Sequence, residues 1–456
     1  MDIREFITHE VGLPLFEIAK GLKIRDDLQT LKRFSRRSRE EIRSLQNYKL
    51  SKIVKHAYDT VPFYKKRFDS AGISPHDICG QNDLKGIPEL SREDIQKHGC
   101  EMISSSIDLM KCYKGSSSGS TGQPVVYYRD RRGLSCEQAA RYFGWGLSGW
   151  RFGAPFLSIW GNPTTVRQDW SRLSSKAKSI LFFERKVPAY RLINEENFYR
   201  LYEIHQKMSV KFIQGYTNAI YAYANFINMK DLDRPQTQGV LTTAENLQPH
   251  QREIIEYALG PVYDFYGCGE INSVAFQCGF GEHYHIIEPH VILEYGDTVD
   301  DMGNRKFLIT DLDNYAMPFI RYVNGDMGLP GSENKCPCGS SFSTLGGVSG
   351  RTGDVIRTPE GGILSIPSFL GSRLLKELKG LIRYQVEIVE RGAIIIRLQV
   401  NPHFNREEKE IITKSLREYI PDSIDWSIAL ADDILPDNNG KFKLVLDKRK
   451  DGNYRL

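Results

Sequence analysis

Ser116-Ser-Ser-Gly-Ser-Thr-Gly-Gln-Pro124 opens with seven consecutive Ser, Thr or Gly residues, and a strand-like run, Val125-Val-Tyr-Tyr128, follows at once. Glycines let such a loop turn several backbone N–H groups and hydroxyls toward one point, which is what a polyphosphate needs. No Gly-Lys-Ser/Thr follows the glycines, so this is not a Walker loop. Taken alone, the stretch reads at least as well as a flexible Ser/Gly linker. The residues around it decide between the two.

Downstream, short β-type runs alternate with helix-type segments to about residue 345. Pro155-Phe-Leu-Ser-Ile-Trp160, Val210-Lys-Phe-Ile213, Gly239-Val-Leu-Thr-Thr243 and Val262-Tyr-Asp-Phe265 read as strands, and Ala219 to Met229 and Gln248 to Leu259 as helices. That alternation predicts an α/β layer architecture with ligands at the strand ends. Upstream, residues from about 14 to 70 show apolar positions at three- and four-residue spacing, the mark of helices, interrupted at Val61-Pro-Phe-Tyr64. Beyond Gly350 the pattern changes. Leu381 to Glu390 and Gly392 to Val400 read as two strands, Arg406 to Tyr419 as an amphipathic helix, and Trp426 to Leu430 as a further strand. The expected organisation is a helical part at 1–100, an α/β core at 101–352 and a small α+β domain at 353–456.

The chain has 456 residues, more than one ordinary core accommodates. Its 40% hydrophobic and 26% charged residues are those of a folded soluble protein. A formal net charge of +4 excludes the basic field of a nucleic-acid binder. Lys32-Arg-Phe-Ser-Arg-Arg-Ser-Arg39 is closed off by Glu40 and Glu41 and reads as a solvated helix face. No apolar run approaches the ~20 residues of a membrane span, and the acidic start lacks the pattern of a signal peptide. A cytoplasmic protein is expected. The eight cysteines do not form a secreted disulfide framework, so reduced thiols or a metal site are expected instead.

Six polar landmarks follow in order: the Ser/Gly loop; Thr242-Thr-Ala-Glu245; Phe265-Tyr-Gly-Cys-Gly-Glu270; Phe319-Ile-Arg-Tyr-Val-Asn-Gly-Asp326; Ser349-Gly-Arg-Thr-Gly-Asp354; and Asn439-Gly-Lys441. With this set the sequence resembles the adenylate-forming superfamily of acyl-CoA ligases. It is most similar to the phenylacetate–CoA ligase branch, which includes relatives of capsular and other surface-polysaccharide biosynthesis. The resemblance covers nearly the whole chain, including Ser74-Pro-His-Asp-Ile78 and Ile87-Pro-Glu-Leu90. It implies a large multi-layer adenylate-forming domain followed by a small mobile C-terminal domain. It also implies ATP and Mg²⁺, CoA as co-substrate, a small carboxylic acid as the other partner, and allows a homodimer.

The roles that the resemblance implies fit the chemistry of each residue. Ser117, Ser118, Gly119, Ser120, Thr121 and Gly122 would cradle the β- and γ-phosphates, with Thr121 also serving catalysis. Gln123 stands where the family usually has Lys, which removes one positive charge. Glu270 would hold Mg²⁺, which takes one or two carboxylates besides phosphate oxygens. Gly269 replaces the usual Thr before this Glu. Tyr266 and Gly267 would face the adenine, with Thr243, Ala244 and Glu245 at its edge, Asp326 on the ribose hydroxyls, and Arg351 at the ribose or phosphate. Lys441, on a terminal loop, would bridge the attacking carboxylate and the α-phosphate. Gly353 is the expected hinge of the small domain; glycine absorbs a large φ/ψ change without a Cβ penalty.

Cys336-Pro-Cys338 is a short-spaced thiol pair, and Cys278 with His285 resembles the Cys/His pair that accompanies it in some members of the branch. Three thiolates and one imidazole make a closed, structural Zn²⁺ site. The alternative is a set of unligated buried thiols with His283 on the surface. The remaining cysteines read as packing residues. Phe143, Trp145 and Tyr216 are candidates for an aromatic-lined acyl pocket. The function expected is ATP-dependent formation of an acyl-adenylate with release of pyrophosphate, then acyl transfer to CoA. The alternatives are transfer to an amine or hydroxyl in surface-polysaccharide assembly, and a non-catalytic nucleotide-binding relative.

Overall fold

The computed structural model describes residues 3–117, 125–160, 179–189, 192, 195–300, 302–332, 335–351, 356–357, 363–364, 378, 380–390, 392–435 and 444–450. The N-terminal helices begin and end where local chemistry directs. Ser38 accepts from the Glu41 N–H and the Glu41 side chain from the Ser38 N–H, a capping box that starts Arg39–Thr60. Pro62 then opens the next helix, Pro62–Ala71, which Gly72 ends in the left-handed conformation (φ 65°). The pattern expected to break at Val61 does break there, and helix resumes one residue later.

The strands are β1 (Tyr113–Ser117), β2 (Val125–Arg129), β3 (Phe156–Ile159), β4 (Glu184–Val187), β5 (Phe212–Tyr216), β6 (Gly239–Thr243) and β7 (Val262–Tyr266). They continue as β8 (Ala275–Gln277), β9 (Tyr284–Ile286), β10 (Val291–Val299), β11 (Arg305–Asp311), β12 (Asp326–Pro330) and β13 (Thr344–Arg351). β1 and β2 pair antiparallel, Tyr113 opposite Arg129 and Ser117 opposite Val125. All the later ones join one sheet in the order β10-β11-β12-β13-β9-β8-β7-β6-β5-β3-β4. β4, β3, β5, β6 and β7 are mutually parallel, and from β7 to β10 the pairing is antiparallel. β6 is buried along its whole length, as a parallel strand covered on both faces should be. The helices Thr217–Met229 and Pro249–Leu259 flank it in sequence.

The expected strand–helix alternation therefore holds as far as β7 and fails beyond it. From Ala275 to Arg351 the described chain runs as antiparallel strands joined by turns. The fold remains mixed α/β. A separate four-stranded sheet is built from β14 (Leu381–Glu390), β15 (Ala393–Val400), β16 (Asp425–Ala431) and β17 (Val445–Asp447), in the order β16-β15-β14-β17. With the helix Arg406–Tyr419 it encloses its own core, centred on Val386, Ile396, Leu398, Ile412 and Leu416.

Phe143 and Trp145 lie in the core. They are buried on the helix Arg131–Gly146, among Trp150, Phe152 and Phe156. Two cysteines read as packing residues, Cys79 and Cys100, are exposed. Among the described residues no helix is long and apolar enough to cross a membrane.

Candidate active site

The parallel strands β6 and β7 end side by side, and their last residues begin the site. Thr242 Oγ1 donates to Asp264 Oδ1 (2.6 Å) and Thr243 Oγ1 to the Phe265 carbonyl (2.8 Å), which fixes the two strand ends against each other. Ala244 follows in the left-handed region (φ 69°), a conformation that costs a residue with a Cβ and recurs at functional turns. It turns Glu245 onto the start of the helix Thr217–Met229. The carboxylate accepts from the Asn218 N–H (2.8 Å) and the Glu245 carbonyl accepts from Thr217 Oγ1 (3.2 Å). Tyr216 gives that helix no side-chain cap, so Glu245 supplies one from another part of the chain. Asn246 Nδ2 donates to the Ser349 carbonyl on β13 (3.2 Å), tying this turn to the antiparallel half.

Tyr266, at the end of β7, is buried, and its hydroxyl donates to Asp326 Oδ2 (2.8 Å). Asn324 Nδ2 donates to both the Tyr266 hydroxyl (2.7 Å) and Asp326 Oδ2 (2.6 Å), while the Asp326 N–H donates to Asn324 Oδ1 (3.0 Å). Burial first, and then the Asp326 charge, push the Tyr266 phenol well above its ordinary pKa, so it remains a donor. Asp326 lies opposite Arg351 in the β12–β13 ladder. Asn324 was not singled out in the sequence; its position two residues before an aspartate in a glycine turn was the available signal.

After Tyr266 the chain turns sharply. A Cβ on Gly267 would stand 2.8 Å from the Ser273 backbone nitrogen, so the close approach requires glycine. The Cys268 N–H closes the turn on the Ile271 carbonyl (2.8 Å). Glu270 is 3% exposed, and its Oε1 meets Arg92 Nη1 and the Tyr322 hydroxyl, each at 3.3 Å. Arg129 Nη2 donates to the carbonyls of Gly269 (2.6 Å) and Glu270 (2.9 Å), while its Nε pairs with Glu137 (2.9 Å). Behind the turn, His290 meets the Asn272 carbonyl through Nε2 (3.2 Å) and Asp313 through Nδ1 (3.1 Å), and Lys49 Nζ lies 2.6 Å from Asp313 Oδ1. Arg92, Arg129, His290 and Asp313 were not singled out in the sequence; Arg92 reaches Glu270, Arg129 reaches Gly269 and Asp313 meets Lys49 from far along the chain.

The structure thus gathers Thr243, Ala244, Glu245, Tyr266, Gly267, Glu270, Asp326 and Arg351 around the ends of β6, β7 and β12–β13. Ser117 is the last residue of β1, opposite Val125. Ser118, Gly119, Ser120, Thr121, Gly122, Gly353 and Lys441 lie outside the described residues. Tyr216 packs its ring against Trp160 with centroids 4.4 Å apart.

A second cluster stands where β9 meets β13. Cys278 Sγ lies 3.5 Å from Cys336 Sγ, His283 Nε2 lies 3.2 Å from Cys336 Sγ, and His285 Nε2 lies 3.2 Å from Cys338 Sγ. Ligand atoms of Cys278, His283, His285 and Cys336 all fall within 4.8 Å of one another. His283 is therefore not the surface residue that the alternative reading made it. Gly339, at φ 79°, turns the Cys336–Cys338 segment, and the Ser340 N–H points at Cys338 Sγ (3.4 Å). Tyr284, between the two histidines, donates to Asp264 Oδ2 (2.6 Å), so the cluster is bonded to the base of β7.

No family model matches the chain. A phenylacetate–coenzyme A ligase of Thermus thermophilus is 25% identical over 468 residues, covering 90% of this chain and 98% of that protein. The phenylacetate–coenzyme A ligase of Aromatoleum evansii is 24% identical, covering 84% and 88%. Among solved structures, a 2-hydroxyisobutyryl-CoA ligase in its postadenylation state, in complex with 2-HIB-AMP, shares the fold with a TM-score of 0.71 at 15% identity, over 92% of both chains. The architecture is that of the adenylate-forming acyl-CoA ligases. In sequence the chain is similar to the phenylacetate–coenzyme A ligases, the branch its motifs resemble.

Proposed function

We propose that the protein joins a carboxylic acid to AMP at the expense of ATP and then passes the acyl group to coenzyme A. In the first step a carboxylate oxygen bonds to the α-phosphorus, the bond to the β-phosphate oxygen breaks, and pyrophosphate leaves. In the second the CoA sulfur bonds to the acyl carbon and AMP leaves. The observation that carries this reading is the convergence of the Thr243–Glu245 turn, the Tyr266–Glu270 turn and Asp326 in a chain similar to phenylacetate–CoA ligases over nine-tenths of its length.

Within it, Asp326 receives the ribose hydroxyls. Tyr266 and Asn324 orient its carboxylate. The Ser117–Gly122 loop and Arg351 bind phosphate, and Lys441 stabilises the charge that develops at the α-phosphate. Glu270 is the residue that would hold Mg²⁺, which neutralises phosphate charge when bound. Its carboxylate is fixed by Arg92 and Tyr322 through Oε1. Gly353 is the hinge on which the small domain, 353–456, turns between the two steps.

The thiol–imidazole cluster fits a structural Zn²⁺. Cys278, Cys336 and Cys338 supply soft ligands, and His283 and His285 offer imidazoles beside them. Such an ion would pin the Cys336–Cys338 turn to β9 and, through Tyr284 and Asp264, to the strand that leads into Tyr266.

The test is ATP–pyrophosphate exchange across a panel of carboxylic acids, followed by product analysis with and without CoA. An acyl product formed only with CoA supports the thioester route; transfer to an amine or hydroxyl without it redirects the second step toward surface-polysaccharide chemistry. Lys441→Ala is expected to abolish exchange while nucleotide binding remains. Undiminished exchange in that variant refutes the assignment.

A further inference from the structure

The N-terminal helix carries a row of apolar side chains that the active site leaves unused. Residues 3–20 run without a break as α-helix over Ile3–Phe6, π-helix over Ile7–Gly12 and α-helix over Leu13–Lys20. One side of this helix is fastened to the body. Thr8 Oγ1 donates to the Leu181 carbonyl (3.0 Å), the His9 ring lies 5.7 Å from Phe152, and Phe16 lies 5.8 Å from Phe182. A Cβ on Gly12 would stand 2.7 Å from the Leu181 side chain, so the approach is close. The other side bears Ile3, Ile7, Val11, Leu15 and Ile18, exposed by 72, 39, 44, 55 and 79%. Phe6, at 49%, widens the row. In a pure α-helix four-residue steps drift by about 40° each. The wider π turn takes up that drift and keeps the row straight. Contiguous apolar rows of this kind mark contact surfaces.

We propose that this row is the contact between two copies of the chain, packed antiparallel about a two-fold axis at Val11. The order of residues reads nearly the same in both directions. Reversal sets Ile3 on Ile18, Ile7 on Leu15 and Val11 on itself, the self-complementarity that an isologous contact needs. The smallest of the five sits on the axis, where the helices come nearest. The helix carries Glu5, Glu10 and Glu17 against Arg4 and Lys20, so it is acidic, whereas a helix that lies on an anionic membrane is rich in Lys and Arg. A second copy is the occupant that the charge and the symmetry select. Two helices about 27 Å long would remove on the order of 1,000 Å² from water, at the lower limit of a specific interface. The dimer is therefore reversible and concentration-dependent.

Sedimentation velocity of the full chain over a concentration series should show monomer and dimer in exchange. Val11→Asp should raise the dimer dissociation constant by about 100-fold, since like charges would face each other on the axis. Its circular dichroism should be unchanged, and so should its melting at dilutions where the parent chain is monomeric. Cysteine pairs read the geometry, in a background where the exposed Cys79 and Cys100 are replaced by serine. Val11→Cys should oxidise to a covalent dimer, and Ile3→Cys should cross-link to Ile18→Cys but not to itself. Monomer at every concentration overturns the proposal, as does Ile3→Cys pairing with itself. Flotation of the protein on phosphatidylcholine vesicles, abolished by Val11→Asp, overturns it in favour of a membrane.

Discussion

Replacing Arg129 by methionine separates what holds the molecule together from what shapes the turn before Glu270. The Arg129 and Glu137 side chains are each 5% exposed and paired at 2.9 Å, and the same guanidinium holds the carbonyls of Gly269 and Glu270. Removing one partner of a buried ion pair costs about 3–5 kcal/mol, because the other charge stays buried. Arg141 still meets the second oxygen of Glu137 at 3.0 Å, which places Arg129→Met near the lower figure. The double variant Arg129→Met/Glu137→Leu removes both charges and should recover at least about 2 kcal/mol of that loss, since an apolar replacement of a buried pair is often neutral. Neither variant restores a donor to the two carbonyls. If the turn that carries Glu270 shifts by ~1 Å, adenylation should fall by roughly 100-fold in both. Urea denaturation measures the first quantity and ATP–pyrophosphate exchange the second. Recovery of exchange together with stability in the double variant would show that Arg129 serves only to neutralise Glu137.

Metal analysis of the purified protein should find about one zinc per chain, the stoichiometry of one tetrahedral site. Cys336→Ser should lower both zinc content and melting temperature while leaving turnover per folded molecule unchanged. The buried set of Lys49, Asp313 and His290 gives stability a definite pH window. Burial alone would raise the Asp313 carboxyl, but Lys49 and His290 outweigh it and hold it below its ordinary 3.8. Its contribution is complete above that value and is lost as pH falls through the folded pKa. Burial alone would lower His290, but Asp313 outweighs it and raises the imidazole above 6.5. That contribution is complete below 6.5 and fades as pH rises through the folded value. Asp313→Asn should therefore flatten both limbs of the stability–pH curve and cost about 3–5 kcal/mol between them, as read by denaturation at a series of pH values.

What the sequence made legible was local chemistry. Gly239-Val-Leu-Thr-Thr243 is a short run of small, β-branched and apolar residues that reads as a strand, and Arg406 to Tyr419 repeats its apolar residues at helical spacing. The Cys336–Cys338 pair and the Tyr266–Glu270 turn were visible because each is a short motif whose residues lie close together in the sequence. Long-range partners were not legible. Arg92 reaches Glu270 across 178 positions and Arg129 reaches Gly269 across 140, and nothing local in an arginine announces either. His283 could have been found. It stands two residues before His285 at the start of a strand, and side chains two apart share a face. The helical segment before residue 14 was missed because a strict spacing of four drifts around an α-helix. Only the π turn at Ile7–Gly12 makes it a straight row.

The failure of strand–helix alternation after β7 is informative about the site itself. Parallel strands point all their C-terminal ends the same way, so β6 and β7 deliver the Thr243 and Tyr266 turns to one rim. A further parallel strand would reach that rim only after a crossover of about a dozen residues or more, whereas an antiparallel strand can start there directly. β12 starts where the Tyr266 hydroxyl is waiting, so that Asp326 meets it at 2.8 Å, and β13 ends opposite Asp326 with Arg351. The change of pairing at β7 thus has a physical purpose: it lets residues sixty and more positions apart face one another without a long loop. The same change explains where the cysteine–histidine cluster stands. β8 and β9 are three residues each; Cys278 follows β8, His283 precedes β9 and His285 is its middle residue. A metal cross-link there, as proposed above, would fix the short strands to β13, with which β9 pairs.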